Sequence, residues 1–235
     1  ELETAKEQLD SHIDDTLKDE LSSVDLAEHL KTIKKHDETQ FAKYLKELDP
    51  ESLANAALEM PDHMLEDVIE IVPKDKITQG ISELESDDQA ELLDNISDID
   101  ENKAKEFFEE LDEKDRADIL KIAKYDEDEA GAYMQTEIFS AKGSETLKSA
   151  IDRLKILKEK EEIENVFQLF IVDEKNHLKS AIALSDLIIY DFSLTLNEII
   201  EKSNYDYKPH VAIDTENVND VIQDFDEFDL NVMPV

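Results

Sequence analysis

From residue 37 onward an aspartate returns every twelve or thirteen residues: Asp37, Asp49, Asp62, Asp75, Asp87, Asp100 and Asp112. So short a period leaves room between aspartates for about three helical turns and a tight reversal, which constrains the chain to a stack of short helices. Aspartate suits the head of each helix because its carboxylate accepts the orphan N–H groups of the first turn and meets the positive end of the dipole. Pro50, directly after Asp49, is a first-turn proline, and Pro61 and Pro73 are expected to close the preceding helices. Between caps the apolar residues keep helical spacing, as in Ala104, Phe107, Phe108 and Leu111, then Ile119, Leu120 and Ala123. Helices this short are marginal alone and gain stability from their neighbours, which predicts a curved helical array over residues 1 to about 130.

After Gly131 the period changes. "EIFSA" (137–141) reads as a strand, "SETLKSAIDRLKIL" (144–157) as a helix, "VFQLFIVD" (166–173) as a buried strand and "LKSAIAL" (178–184) as its partner across the turn "DEKNH". "SDLIIY" (185–190) then begins a helix with Ser185 as cap. The pattern restarts with "KPHVAID" (208–214) as a strand, "ENVNDVIQDF" (216–225) as a helix and "LNVMPV" (230–235) as a strand. Two β-α-β units about 70 residues apart, the second incomplete, predict a paired α/β module.

Charge narrows the function. With 62 Asp and Glu against 25 Lys and Arg, the formal net charge is -37. Basic residues are scattered singly among acids, so neither nucleic acid nor an anionic membrane surface is a partner. The acidity reads either as a solvated surface or as a surface that meets cations. The chain has no cysteine, which excludes disulfides and zinc-thiolate sites. No apolar run approaches the roughly 20 residues needed to cross a bilayer, and the charged start "ELETAKEQLD" is unlike a signal peptide. A chain that starts on Glu1 and stops at "NVMPV" is expected to be cut from something longer.

Two acidic features stand out. In "AKYDEDEAGAYM" the four acids Asp126 to Glu129 precede Gly131, one of three glycines, which is expected to permit a turn at a joint. In "ESDDQAELLDNI" the residues Asp87, Glu91 and Asp94 share one helical stripe while Ala90, Leu93 and Ile96 face another side. Such a stripe is either a solvated helix face, with both Asp87 and Glu91 open to water, or a weak site for magnesium, which is commonly held by one or two carboxylates plus water. Calcium would need more ligands. The six histidines, His12, His29, His36, His63, His177 and His210, are far apart and read as surface residues. Serines lack a G-x-S-x-G context and no phosphate-binding glycine loop is present, so the chain reads as a non-enzyme.

A helical array, then "YDEDEAGAYM", "LFIVDEKNHLKSAIALSDLI" and "DFDEFDLNVMPV", resembles the cytosolic region of MgtE-type magnesium transporters. The tyrosine, acids, Ala-Gly and Met of the junction are its sharpest element. The resemblance departs at Ser180, where glycine is usual, and at Met134-Gln135-Thr136. It implies an α+β fold class: an N-terminal all-α superhelical array over 1–131, a first cystathionine-β-synthase-type (CBS) domain over 132–203 and a partial second CBS domain over 204–235. It also implies a homodimer through the CBS domains at the cytoplasmic face of the cell membrane, joined to the membrane domain of the same full-length transporter. In that family magnesium ions bridge the helical domain and the CBS pair, and the whole closes on binding to gate transport. Carried across, the resemblance places Asp87 and Glu91, the backbone carbonyl of Ala132, and Asp226 and Asp229 as magnesium ligands, with Asn217 and Asn219 standing where the family has acids. CBS pairs also bind adenine nucleotides, and Asp186 in "SDL" resembles their ribose-contacting position, so the expected cofactors are magnesium ion and ATP or another adenine nucleotide. Two rivals remain: a nucleotide-sensing CBS module without metal sensing, and a helical scaffold for a basic protein.

Overall fold

The computed structural model describes residues 1–14, 21–160, 163, 165–203 and 206–235. The chain divides into two compact units, Glu1–Lys124 and Tyr125–Val235.

The first unit is a run of short helices: α1 (Leu2–Ile13), α2 (Ser23–His36), α3 (Glu38–Glu47), α4 (Pro50–Leu58), α5 (Asp62–Ile71), α6 (Lys74–Glu83), α7 (Ser86–Ile99), α8 (Glu101–Glu110) and α9 (Glu113–Ile122). The aspartate period is visible in their starts, in two forms. Asp37, Asp49, Asp100 and Asp112 are side-chain caps, each accepting one or two first-turn N–H groups at 2.8–3.1 Å. Asp62, Asp75 and Asp87 are not caps; they lie inside the first turns of α5, α6 and α7, whose cap positions are Pro61, Pro73 and Glu85. Pro61 and Pro73 therefore open helices as well as separating them. A proline held extended already sets the backbone of a cap, and an aspartate one or two residues further in still meets the positive end of the dipole.

The opposite ends are served by the scarce cations. Lys76 Nζ donates to the carbonyls of Leu45 and Lys46 at the end of α3, Lys103 Nζ to that of Ile69 at the end of α5, and Arg116 to those of Glu109 and Leu111 closing α8. Each clips a helix C-terminus, where carbonyls lack partners and a positive charge is favoured. One hydrophobic core runs continuously from Ala5 and Leu9 to Leu111 and Ile119. Leu120, expected in it, is 62 % exposed, and Ala123 is exposed too; Ile122 is the buried residue of that turn. At the close of an array a helix has one neighbour fewer, and its buried stripe narrows.

The second unit contains β1 (Ser140–Lys142), α10 (Leu147–Glu159), β2 (Gln168–Val172), β3 (Leu178–Ala183), α11 (Leu184–Leu187), α12 (Leu196–Lys202) and α13 (Val218–Phe228). The sheet order is β1-β2-β3, with β1 parallel to β2 and β2 antiparallel to β3. The hairpin is closed by Asp173, whose carboxylate accepts the N–H groups of Lys175 and His177, and by Asn176 in the left-handed region. α10, expected from residue 144, starts at Leu147 with Thr146 as its cap, and α11 is a single turn starting at Leu184, so Ser185 does not cap it. α12, opened by a Thr195–Glu198 capping box, is absent from the expected pattern.

Neither 208–214 nor 230–235 forms a strand. They meet through one hydrogen bond, Ala212 N–H to Pro234 O at 3.0 Å. Pro209 and Pro234 each withhold the N–H that a ladder would need. Around this contact lies a small core of Ala130, Ala212, Val221 and Met233, separate from the main core around Phe139, Leu147, Leu169 and Ile182.

Candidate metal and ligand sites

The α7 stripe is present as a helix face, and its members differ. Asp94 and Glu91 are exposed, whereas Asp87 is half-buried with its Oδ1 sealed from solvent, a departure from the expectation that it is open to water. The neighbouring Asp88 was missed by the stripe, yet its charge is opposed by its surroundings. Burial first, then the charges of Glu91 and of Glu59 at the end of α4, raise its carboxyl above the ordinary aspartate range. A cation on this turn would relieve that repulsion, and the donors are all carboxylate oxygens, which fits a hard ion such as magnesium better than a softer metal. Among the described residues no three His, Asp or Glu side chains are already gathered closely enough to hold a metal ion. The turn therefore offers two or three oxygens, with waters completing any coordination shell.

In the second unit Ala132 belongs to a 3-10 turn, Ala130–Tyr133, and is half-buried. Gly131 in that turn has no positive φ, so freedom of the backbone is not its purpose. A Cβ there would lie 2.5 Å from the ring of Tyr125: the glycine is needed because an aromatic face rests on it. Asp226 and Asp229 are exposed, three residues apart at the far end of α13, with Asp229 as a left-handed C-cap whose N–H reaches Phe225 O. Residues 128–131 pair with the opposite, N-terminal end of α13, roughly 15 Å away at 1.5 Å per residue. Asn217 is the N-cap of α13, accepting the N–H of Asn219 at 3.0 Å.

A cavity of about 230 Å³ opens beside β2 and β3, lined by Gln168, Ala181, Tyr207, Lys208, His210 and Phe228 among others. His210 is not a free surface residue. Its Nε2 lies 2.9 Å from Asp224 Oδ2 and its ring is 4.3 Å from that of Phe228. Tyr207 is buried, its hydroxyl 3.0 Å from that of Tyr190, and burial followed by this hydrogen bond raises its pKa, with a further push from the Asp186 charge. Asp186 does not line the cavity. The clustering of Tyr207, Lys208 and His210 within four residues was the available sequence signal for this pocket. No helix among the described residues is long and apolar enough to cross a membrane.

Comparison with known proteins fits this anatomy. Residues 21–128 match the family model of the MgtE intracellular N domain. A magnesium transporter MgtE of Thermus thermophilus is 26% identical over 223 residues, 85% of this chain and 48% of that protein; one of Enterococcus faecalis is 31% identical over 113 residues, 48% of this chain and 24% of that protein. The chain therefore spans about half the length, or less, of these curated relatives. In fold it is similar to the cytosolic domain of the Mg2+ channel MgtE in complex with ATP (TM-score 0.78, 24% identity, covering 92% of this chain and 83% of the other) and to the soluble part of a magnesium transporter (TM-score 0.79, 21% identity, covering 100% and 90%). Residues 21–128 thus carry the pattern of the MgtE intracellular N domain, and the chain as a whole resembles the cytosolic region of MgtE-type magnesium transporters.

Proposed function

We propose that this chain is a cytoplasmic, magnesium-sensing regulatory region of a divalent-cation transporter, a control element and not an enzyme, working on a membrane domain of the same full-length protein and dimerising through its CBS-like half. The observation that carries the reading is the position of Asp87, Asp88 and Glu91 on one turn of α7, inside the segment that matches the MgtE N domain, with Asp88 held above its ordinary pKa by burial first and then by its acidic neighbours. Asp87 and Glu91 are the proposed side-chain ligands there. The Ala132 carbonyl, Asp226 and Asp229 are the proposed ligands of the second unit. Magnesium supplies positive charge where carboxylates crowd, and several weak sites acting together make the response steep in concentration.

The test is the double variant Asp87→Asn with Glu91→Gln, with Glu91→Gln alone as the variant whose exposed side chain leaves the apo fold unchanged. Millimolar magnesium should raise Tm in the unsubstituted protein well beyond sodium at matched ionic strength; a site at hundredfold excess over its Kd contributes about 2.7 kcal/mol. The double variant should lose most of that gain. A folded double variant with an undiminished magnesium response, or an unsubstituted protein on which both salts act alike, refutes the reading.

A second reading has its own observation, the cavity lined by Tyr207, Lys208 and His210, with the Asp186 charge acting on Tyr207. Aromatic faces and a lysine suit a base and a phosphate, and one relative in fold is described as a complex with ATP. In this reading the second unit senses an adenine nucleotide. A Tm shift with ATP or AMP in the absence of magnesium supports it, and its loss on Lys208→Ala ties it to this cavity.

A further inference from the structure

The acidic run 126–129 is fastened to the loop that opens α13. Ala130 N–H donates to Glu216 O, Gly131 N–H to Asp214 O and Val218 N–H to Asp128 O, each at 2.8 Å. Tyr125 reaches the same loop, its hydroxyl donating to Asp214 Oδ2 at 2.6 Å while its ring covers Gly131. Asn217 Nδ2 donates to Asp128 Oδ2 at 3.3 Å. The fastening closes a hydrophobic seam, because Ala130, only 5% exposed, is one of four buried residues in the small core with Ala212, Val221 and Met233.

Charge opposes this arrangement. Asp126, Glu127, Asp128 and Glu129 lie on one side, and Asp214, Glu216 and Asp220 on the other. Like charges brought together weaken such a contact, more so at low ionic strength. Both side chains that donate across it, Tyr125 and Asn217, are neutral. Asn217 also holds the N-cap of α13, a position that aspartate would fill as well or better. As a cap alone, asparagine has no advantage over aspartate here. Its amide differs in one respect: it offers Asp128 a donor where a second carboxylate would offer repulsion.

We propose that residues 125–131 form a latch that closes the core around Val221 without a metal ion, and that the Asn217 amide makes it independent of cations. It takes at Asp128 the place that a divalent ion would have to fill between two carboxylates. Opening the latch withdraws Ala130 and bares Val221 and Met233, so the state of this strap sets whether the α13 half is packed. The proposal does not rest on magnesium sensing elsewhere in the chain.

Hydrogen exchange of the Ala130, Gly131 and Val218 amides in the full chain tests it, read in chelator at low salt, then with millimolar magnesium chloride or sodium chloride at matched ionic strength. In the unsubstituted protein these amides should already be protected in chelator, without any divalent ion. Asn217→Asp keeps the cap and sets a carboxylate against Asp128. Its three amides should exchange at least about tenfold faster in chelator, a change of about 1.4 kcal/mol, and regain protection with magnesium but not with sodium. Asn217→Ser keeps a capping oxygen and lacks the amide; it should exchange faster by a smaller factor that magnesium does not restore. The proposal is overturned if the unsubstituted amides exchange freely in chelator, or if Asn217→Asp matches the unsubstituted protein in chelator. Amides in the middle of α13 report whether the helix stays folded; should Asn217→Asp unfold it even in magnesium, unchanged protection in Asn217→Ser overturns the proposal.

Discussion

Replacing Asp88 by asparagine should stabilise the helical array at neutral pH, against the usual expectation for an acid in the first turn of a helix. Asp88 is the third residue of α7, where the helix dipole favours a negative charge by about 0.3–1 kcal/mol. Opposing this are its partial burial, Glu91 at i+3 on the same helix and Glu59 from α4. A like-charge pair at that spacing costs a few tenths of a kcal/mol, and a second neighbour adds about as much. The raised pKa gives the sign of the balance: folding disfavours the charged form of Asp88 relative to the unfolded chain. An acid whose pKa rises on folding contributes its stability fully below the unfolded-state value near 4 and loses it as pH climbs through the folded value. At acid pH Asp88 and an asparagine are both neutral and the two proteins should be equally stable; at pH 7 the variant should lead by about 0.5 kcal/mol. Urea unfolding followed by hydrogen exchange at the most protected amides of the array measures the difference without interference from the second unit. A variant less stable at pH 7, or an advantage that persists at acid pH, would show that repulsion on this turn has been misjudged, and with it the reason for a cation to bind there.

The remaining predictions concern the scaffold. Gly80→Ala in α6 should destabilise the protein by about 1 kcal/mol: alanine gains roughly 1 kcal/mol in helix propensity, but its Cβ would drive into Pro50 O and lie 3.0 Å from Ala54 Cβ, and overpacking costs about 1–3 kcal/mol. A chemical denaturation curve displaced towards greater stability would refute the close approach of α4 and α6. Asp100→Ala should cost about 1 kcal/mol, since Asp100 caps two N–H groups of α8, whereas Asp62→Ala, at the same phase of the repeat without a cap bond, should cost only a few tenths. Equal losses at the two positions would mean that the aspartates act through the dipole alone.

The sequence by itself determined what depends on neighbours within a few residues. Asp37, Asp49, Asp100 and Asp112 start helices because a cap acts on N–H groups two or three positions ahead, and the β2–β3 hairpin follows from an Asx turn contained within Asp173 to His177. The alternation of short helices fixed the array, and the family resemblance added residues that no periodicity singles out. Local chemistry also misled where two rules competed, as at Asp62, Asp75 and Asp87, where a proline or Glu85 takes the cap position and moves the aspartate inward. Tertiary structure decided the rest. Tyr125 and Asp214 are 89 residues apart, as are Asp128 and Asn217, so nothing within reach of a local pattern could show that the acidic run is a fastened strap or that Gly131 exists to accept an aromatic ring. The burial of one oxygen of Asp87, the stress on Asp88 from Glu59 on another helix and the His210 contacts with Asp224 and Phe228 arise in the same way. A helix period places a side chain on a face, but only the packing of other elements against that face sets how much water, and how many like charges, the side chain meets.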